Sequence, residues 1–254
     1  MITAGIDCGA KNVKVVVLKD GKVAGKAMEP AGIDTASAAE KAYDDALKLA
    51  GCGRPEVAKV VSTGSGKNEP KFKNDIVTEV GADARGINYI NPKIRTVIDV
   101  GAEEGRAIKV DETGKVVDFA INEKCAAGAG AFTEAMARAL EMPLEEFGPF
   151  SLKSTQDVPM NAQCAVFAES EVVSLVHRKI PKQDIARAIH NAIADRITSM
   201  VRMVGIALDV ALIGGVSKNV GFVASLKKNL EVEIFIPDDR EYVGAIGAAC
   251  VAAD

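Results

Sequence analysis

The chain holds 254 residues, 48% of them apolar, enough to bury one large core or two smaller ones. Its formal net charge of -4 argues against nucleic acid as a partner, and the start lacks the basic-then-apolar pattern of a secretory leader. No apolar run reaches the roughly 20 residues of a membrane helix, so a soluble cytoplasmic protein with no membrane partner is expected. Glycine is abundant, with 23, aromatics make up 4%, and Trp is absent, which suits a compact α/β enzyme with tight loops. The cysteines, Cys8, Cys52, Cys125, Cys164 and Cys250, are widely spaced and include no CxxC pair. A disulfide framework is not expected in a cytosolic chain of this size.

Residues 2–7 read as a strand ending in Asp7, residues 8–12 as a turn, and VKVVVL at 13–18 as a second strand. Asp20-Gly21 signals a turn into a third strand, KVAGKAME. Residues 35–50 have helical periodicity and stop at Gly51. VAKVVSTG is a strand running into the loop STGSGK at 62–67. The opening pattern then returns at 94–124, where IDVGAEEGRAIKV echoes GIDCGAKNVKVVVL. Helices are expected at about 128–140, 165–178 and 182–205. DVALIGGVSKN at 209–219 reads as a strand into a Gly-rich turn, with a helix over 220–229, the strand VEIFIP, and a closing helix of small residues. The repeat divides the chain into two related lobes, 1–93 and 94–254, with a last helix, about 241–254, able to pack back on the first.

Asp7 and Asp99 each end a strand just before a glycine turn. A carboxylate there can hold Mg²⁺ directly or through water, because this ion takes few protein ligands and keeps several waters. Glycines in such turns let backbone N–H groups approach phosphate oxygens, and Lys14 adds a positive charge. Gly214-Gly215 stands where a strand runs into a helix start, a common nucleotide-contact geometry. Taken alone, each Asp-x-Gly reads more readily as a tight hairpin with an Asp at its entrance, and Gly214-Gly215 as a plain strand-to-helix turn. The three together, in this order, are more specific.

That order, Gly5-Ile6-Asp7-x-Gly9, then Ile98-Asp99-Val100-Gly101, then Gly214-Gly215-Val216-x-x-Asn219, resembles the acetate kinase, sugar kinase, Hsp70 and actin superfamily. The resemblance implies an actin-like ATPase fold, two ribonuclease H-like lobes with ATP in the cleft between them. It places Asp7 and Asp99 at the phosphates and Mg²⁺ from opposite lobes, and Gly214, Gly215 and Asn219 by the adenosine.

Two longer stretches narrow this. Asn122-Glu123-Lys124-Cys125-Ala126-Ala127-Gly128-Ala129-Gly130 and Gln163-Cys164-Ala165-Val166-Phe167-Ala168-Glu169-Ser170-Glu171-Val172 resemble signature segments of one ATPase family. Its members activate 2-hydroxyacyl-CoA dehydratases and drive ATP-dependent benzoyl-CoA reductases, and the resemblance runs along nearly the whole chain. The residues alone show two cysteines just before predicted helices, where thiolates are favoured. Such cysteines are more often buried small residues. The resemblance makes Cys125 and Cys164 ligands of a [4Fe–4S] cluster. Such a cluster wants four thiolates, so it is shared between two chains. Cys8, Cys52 and Cys250 have no such context and are expected to be structural.

The first turn, Gly9-Ala10-Lys11-Asn12, lacks two hydroxyls that relatives commonly carry after the glycine. The second, Asp99-Val100-Gly101-Ala102-Glu103-Glu104, has Glu103 where they carry Gln and Glu104 where they carry Asp. This turn resembles the smaller ATPase subunit of benzoyl-CoA reductases more than the homodimeric dehydratase activators. The implied protein is an ATP-driven electron-transfer subunit that uses ATP/ADP with Mg²⁺. It takes electrons from a ferredoxin or flavodoxin and passes them at low potential to catalytic iron–sulfur acyl-CoA reductase or dehydratase subunits. Its ATPase partner is a paralogous chain or a copy of itself. The catalytic set is Asp7, Asp99 and Glu103. Gly9, Ala10, Lys11, Asn12, Lys14, Gly101, Ala102, Gly214, Gly215 and Asn219 bind the nucleotide.

A small-molecule kinase of the same superfamily is the rival from another class, with Glu103 or Glu104 as its carboxylate; it leaves the cysteine segments unexplained. A partner that binds nucleotide without turnover is the third reading. Lys67 lacks the full Gly-x4-Gly-Lys-Ser/Thr pattern, so STGSGK is taken as a domain-core loop beside the cleft. His177 and His190 fall on predicted helices among polar neighbours, which points to surface or interface roles.

Overall fold

The structure is a computed structural model that describes residues 1–122, 130–160 and 165–254. In chain order the elements are β1 (Ile2–Cys8), β2 (Asn12–Lys19), β3 (Lys22–Pro30), α1 (Thr35–Ala50), β4 (Val57–Thr63), β5 (Asp75–Ile76), α2 (Glu79–Ile90), β6 (Thr96–Val100), β7 (Gly105–Val110) and β8 (Val116–Asn122). Then come α3 (Gly130–Ala139), α4 (Leu144–Ser151), α5 (Ala165–His177), α6 (Lys182–Val204), β9 (Val210–Ile213), α7 (Val220–Leu230), β10 (Ile234–Phe235) and α8 (Val243–Ala253). Contact density separates two compact units: Met1–Val97 with Ile108–Asp118 and Pro237–Asp254, and Ile98–Ala107 with Phe119–Ile236.

The first unit is built on a sheet in the order β3-β2-β1-β4-β5. β1 runs antiparallel to β2 and parallel to β4. Asp20 (φ 51°) and Gly21 (φ 75°) close the β2–β3 hairpin with two positive φ angles, the turn that matches strand twist. α1 starts where the Asp34 side chain accepts from the Ser37 amide at 3.0 Å and ends at left-handed Gly51, as its sequence signals predict. Its Ala39, Ala42, Tyr43, Ala46 and Leu47 pack on Ala4, Ile6, Val13, Val15 and Val17. On the opposite face α8 meets Val16 and Leu18 through Ala245, Ile246 and Ala249.

Small residues set the spacing there. A Cβ on Gly5 would overlap the Ala245 carbonyl, and one on Gly247 would overlap that of Ala82 in α2. The sequence reading did not mark α2 or α4. In α2 the glycines Gly81 and Gly86 lower helix propensity, but a Cβ on Gly86 would strike the Val243 carbonyl, so close helix contact overrides propensity.

The second sheet has the order β10-β9-β6-β7-β8. β6 and β9 are buried at every position, as central strands covered on both faces are. The second unit's core gathers Ile98, Val100, Phe132, Met136, Phe147, Ile185, Ile189, Ile193, Ile197 and Phe222 from β6, α3, α4, α6 and α7. The helices expected near 128–140, 165–178, 182–205 and 220–229 are α3, α5, α6 and α7.

Candidate functional site

Asp7 lies one residue from the end of β1, opposite Lys14 of β2 and Thr63 of β4. Directly paired residues point to the same face, so these three side chains share one corner at the carboxyl ends of two parallel strands, where open α/β sheets take ligands. Lys14 Nζ stands 2.9 Å from Asp7 Oδ2. The turn itself closes through Gly9 N–H donating to Asn12 O at 3.1 Å.

The 62–67 loop is tied directly to this turn. Gly66 N–H donates to Cys8 O at 2.9 Å, and Lys67 pairs with Glu79 at 3.3 Å. Gly64 has φ 92°, and a Cβ there would lie 2.5 Å from Cys8 O and 2.7 Å from Asp7 Oδ1. Asp7 thus gives Oδ2 to Lys14 and turns Oδ1 toward two residues without side chains, Gly64 and Gly9. Burial pushes the Cys8 thiol up to about 12 and the Cys250 thiol to about 11, and raises that of Cys52. These three are protonated, inert thiols.

The second turn closes the same way, with Gly101 N–H donating to Glu104 O at 2.9 Å. Here Arg106, which the sequence reading passed over, forks between Asp99 Oδ2 and Glu104 Oε2 at 2.6 Å each. Asp99 is buried, while Glu103 projects to solvent at the tip. The carbonyls of Gly101 and Ala102 accept from Gly130 N–H at 2.8 Å and Ala131 N–H at 2.9 Å, the opening amides of α3. These amides have no partner within their own helix, so the turn caps α3.

The third turn lies against the second. Gly214 has φ 84°, and a Cβ there would overlap the Asp99 carboxylate and come within 2.5 Å of Val100 O. Asn219 caps α7 by accepting from Gly221 N–H at 3.0 Å and Phe222 N–H at 3.2 Å.

His190 is fully buried, which overturns its assignment to a surface or interface. Its polar sequence neighbours misled because α6 is covered on most sides, with Asp184 and Thr198 buried as well. Its Nδ1 lies 2.7 Å from Ala186 O, and the ring packs on Phe147 with centroids 4.6 Å apart. A carbonyl only accepts, so Nδ1 carries the proton. Nε2 faces the Asn219 side chain without a well-formed hydrogen bond. Burial pulls the imidazole down to about 4, so it is neutral. His177 is exposed.

Cys125 and Cys164 lie outside the described residues, although α5 begins at Ala165, one residue after Cys164. Among the described residues no group of three or more His, Cys, Asp or Glu side chains is arranged to hold a metal ion, and no helix is long and apolar enough to cross a membrane.

The family model for the BadF/BadG/BcrA/BcrD ATPases matches residues 4–252. The chain belongs to this ATPase family. A benzoyl-CoA reductase subunit from Thauera aromatica is 35% identical over 98% of this chain and 92% of its own. The crystal structure of (R)-2-hydroxyglutaryl-CoA dehydratase component A from Acidaminococcus fermentans superposes with a TM-score of 0.94 at 35% identity, covering 99% of this chain and 97% of that one. The activator of the 2-hydroxyisocaproyl-CoA dehydratase from Clostridium difficile, with bound ADPNP, gives 0.91 at 34% identity, covering 99% and 94%. The BadF/BadG/BcrA/BcrD chain described here therefore has the actin-like ATPase fold that its three glycine turns imply.

Proposed function

We propose that this chain is an ATP-driven electron-transfer subunit of an acyl-CoA reductase or dehydratase system. It binds Mg-ATP through the turns at Asp7, Asp99 and Gly214, and holds half of a [4Fe–4S] cluster through Cys125 and Cys164. The benzoyl-CoA reductase relative and the two dehydratase components support such a partner, and the ADPNP bound to one of them supports the nucleotide.

Each residue has a task in this reading. Asp7 Oδ1 is turned toward Gly64 and Gly9, and this carboxylate would hold a hydrated Mg²⁺ through water. The amides of Ala10, Lys11 and Asn12 and the Lys14 ammonium hold phosphate oxygens around Gly9, whose own N–H closes the turn. Ala102 does so from the second turn, beside Gly101, whose N–H closes it; Asp99 faces the phosphates through Mg²⁺, and Glu103 orients water. Gly214, Gly215 and Asn219 border the adenosine. Two cysteines per chain provide half of four thiolates, so a second ATPase chain brings the rest. A bound cluster supplies a one-electron couple, filled by a ferredoxin or flavodoxin.

The observation that carries this reading is the pair of hydrogen bonds from Gly130 and Ala131 onto the Gly101–Ala102 turn. A turn that moves when the terminal phosphate leaves pulls on the first amides of the helix that follows Cys125. Nucleotide state and the cysteine segment thereby become coupled sites. In a second form of the reading, which rests on the resemblance to homodimeric dehydratase activators, the partner ATPase is a copy of this chain.

The test is anaerobic purification with iron and sulfide analysis, together with Cys125→Ser and Cys164→Ser. The expected result is a brown protein that loses its iron in either variant and still binds ADP. An iron-free parent protein with normal nucleotide binding would sink the proposal. Chains that co-purify decide between a paralogous partner and a copy.

A further inference from the structure

We infer that Arg106 is a positioning residue that makes the second turn move as one piece, so that nucleotide state reaches the start of α3. This deepens the coupling proposed above between the Gly101–Ala102 turn and α3, and it rests on that reading.

The turn from Asp99 to Glu104 has little side-chain packing of its own. Gly101 and Ala102 carry at most a methyl group, and Glu103 points to solvent. Its backbone closes through Gly101 N–H donating to Glu104 O at 2.9 Å. Yet these two small residues give their carbonyls to the Gly130 and Ala131 amides at 2.8 Å and 2.9 Å. A loose turn would absorb a displacement before it reached those carbonyls. A braced turn passes it on.

Arg106 supplies the brace. It stands on β7, the strand that leaves the turn, and reaches back across it. Nη1 donates to Asp99 Oδ2 at 2.6 Å, on the strand that enters, and Nη2 donates to Glu104 Oε2 at 2.6 Å, where the turn ends. One planar guanidinium thus ties the two shoulders of the turn together. The Arg106 and Asp99 side chains are 12% and 11% exposed, so solvent and salt screen that arm little. Both anchors are seated in the second unit. Gly105 is buried, and a Cβ there would lie 2.9 Å from Ile197 Cδ1 on α6, while one on Gly214 would overlap the Asp99 carboxylate. The Arg106 charge also offsets one of the two carboxylates that the turn presents to phosphates. Arg106→Lys keeps that charge and removes the fork, because a single ammonium lacks the guanidinium's paired donors.

Amide hydrogen exchange at Gly130 and Ala131 is the readout. It is followed by mass spectrometry with electron-transfer fragmentation, on the intact protein purified anaerobically and saturated with ADP or ADPNP. The parent should exchange these amides at rates that differ between the two nucleotides. In Arg106→Lys and in Glu104→Gln the difference should shrink to within about twofold, with both amides about tenfold faster than in the parent. Exchange at Gly221 and Phe222, the opening amides of α7, should stay parent-like. Equal acceleration there makes Arg106 a general stabiliser and overturns the inference. If Arg106→Lys fails to fold, Glu104→Gln decides. Loss of the difference in Arg106→Lys alone keeps the brace and assigns it to the Asp99 arm, whereas loss in Glu104→Gln alone overturns it. A parent-like difference in both variants overturns the inference and leaves the proposed coupling intact. If the parent binds both nucleotides and shows no difference, the coupling itself fails and takes this inference with it.

Discussion

The buried imidazole of His190 makes stability depend on pH in a calculable way. Its folded-state value is about 4 against 6.5 in the unfolded chain, through burial and through the nearby Arg187 charge. The unfolded chain thus takes up this proton more readily than the folded one. The contribution is complete above 6.5 and is lost as pH falls from 6.5 toward 4. The shift corresponds to a loss of roughly 3 kcal/mol below both values, and of about 2 kcal/mol at about pH 5. With a urea slope of about 3 kcal/mol/M, the midpoint should fall by about 0.7 M between about pH 7.5 and about pH 5 from this group alone. Carboxylates titrating over the same range add their own effect, so the comparison is with His190→Gln, which cannot take up the proton. Urea unfolding followed by circular dichroism at both pH values gives the double difference. If the variant and the parent lose equal stability, His190 is not the neutral buried group described here.

Two further substitutions probe packing and capping. Gly247→Ala drives a methyl group into the Ala82 carbonyl and should cost about 3 kcal/mol or more, whereas Gly53→Ala, with only ordinary contacts nearby, should stay within about 0.5 kcal/mol. Thermal unfolding compares the two. Asp184 Oδ1 accepts from Ser154 Oγ and Thr155 N–H at 2.8 Å each and Gln156 N–H at 3.2 Å. Burial works to raise its carboxyl, but these bonds outweigh it and hold the group below the usual range. Asp184→Asn should cost about 2 kcal/mol and speed amide hydrogen exchange at Thr155 and Gln156.

The sequence was most legible where structure is locally determined. Asp34 and Gly51 bracket α1, Asp20-Gly21 closes its hairpin, and the repeat of Asp7-x-Gly9 at Asp99-x-Gly101 announced the second sheet. It was opaque where a residue answers to a distant neighbour. Gly81 and Gly86 lower the helix propensity of α2, which went unmarked, and Gly86 sits in the helix because α8 passes so close. Arg106 is an ordinary strand cation in sequence, and only the tight turn lays it across Asp99 and Glu104. His190 has polar neighbours in the chain and apolar ones in space.

The placement of α8 bears on how the chain is made. This helix of 11 residues, Val243–Ala253, lies far along the chain from β1, β2 and β4 of the first sheet, which it covers, and it supports α2. During synthesis the first unit must therefore wait, with that sheet face uncovered, until α8 has left the ribosome. The second unit, complete by Ile236, has all its residues earlier. The unit that holds β1 is thus completed after the other, and deleting α8 would strip the face on which Asp7 stands.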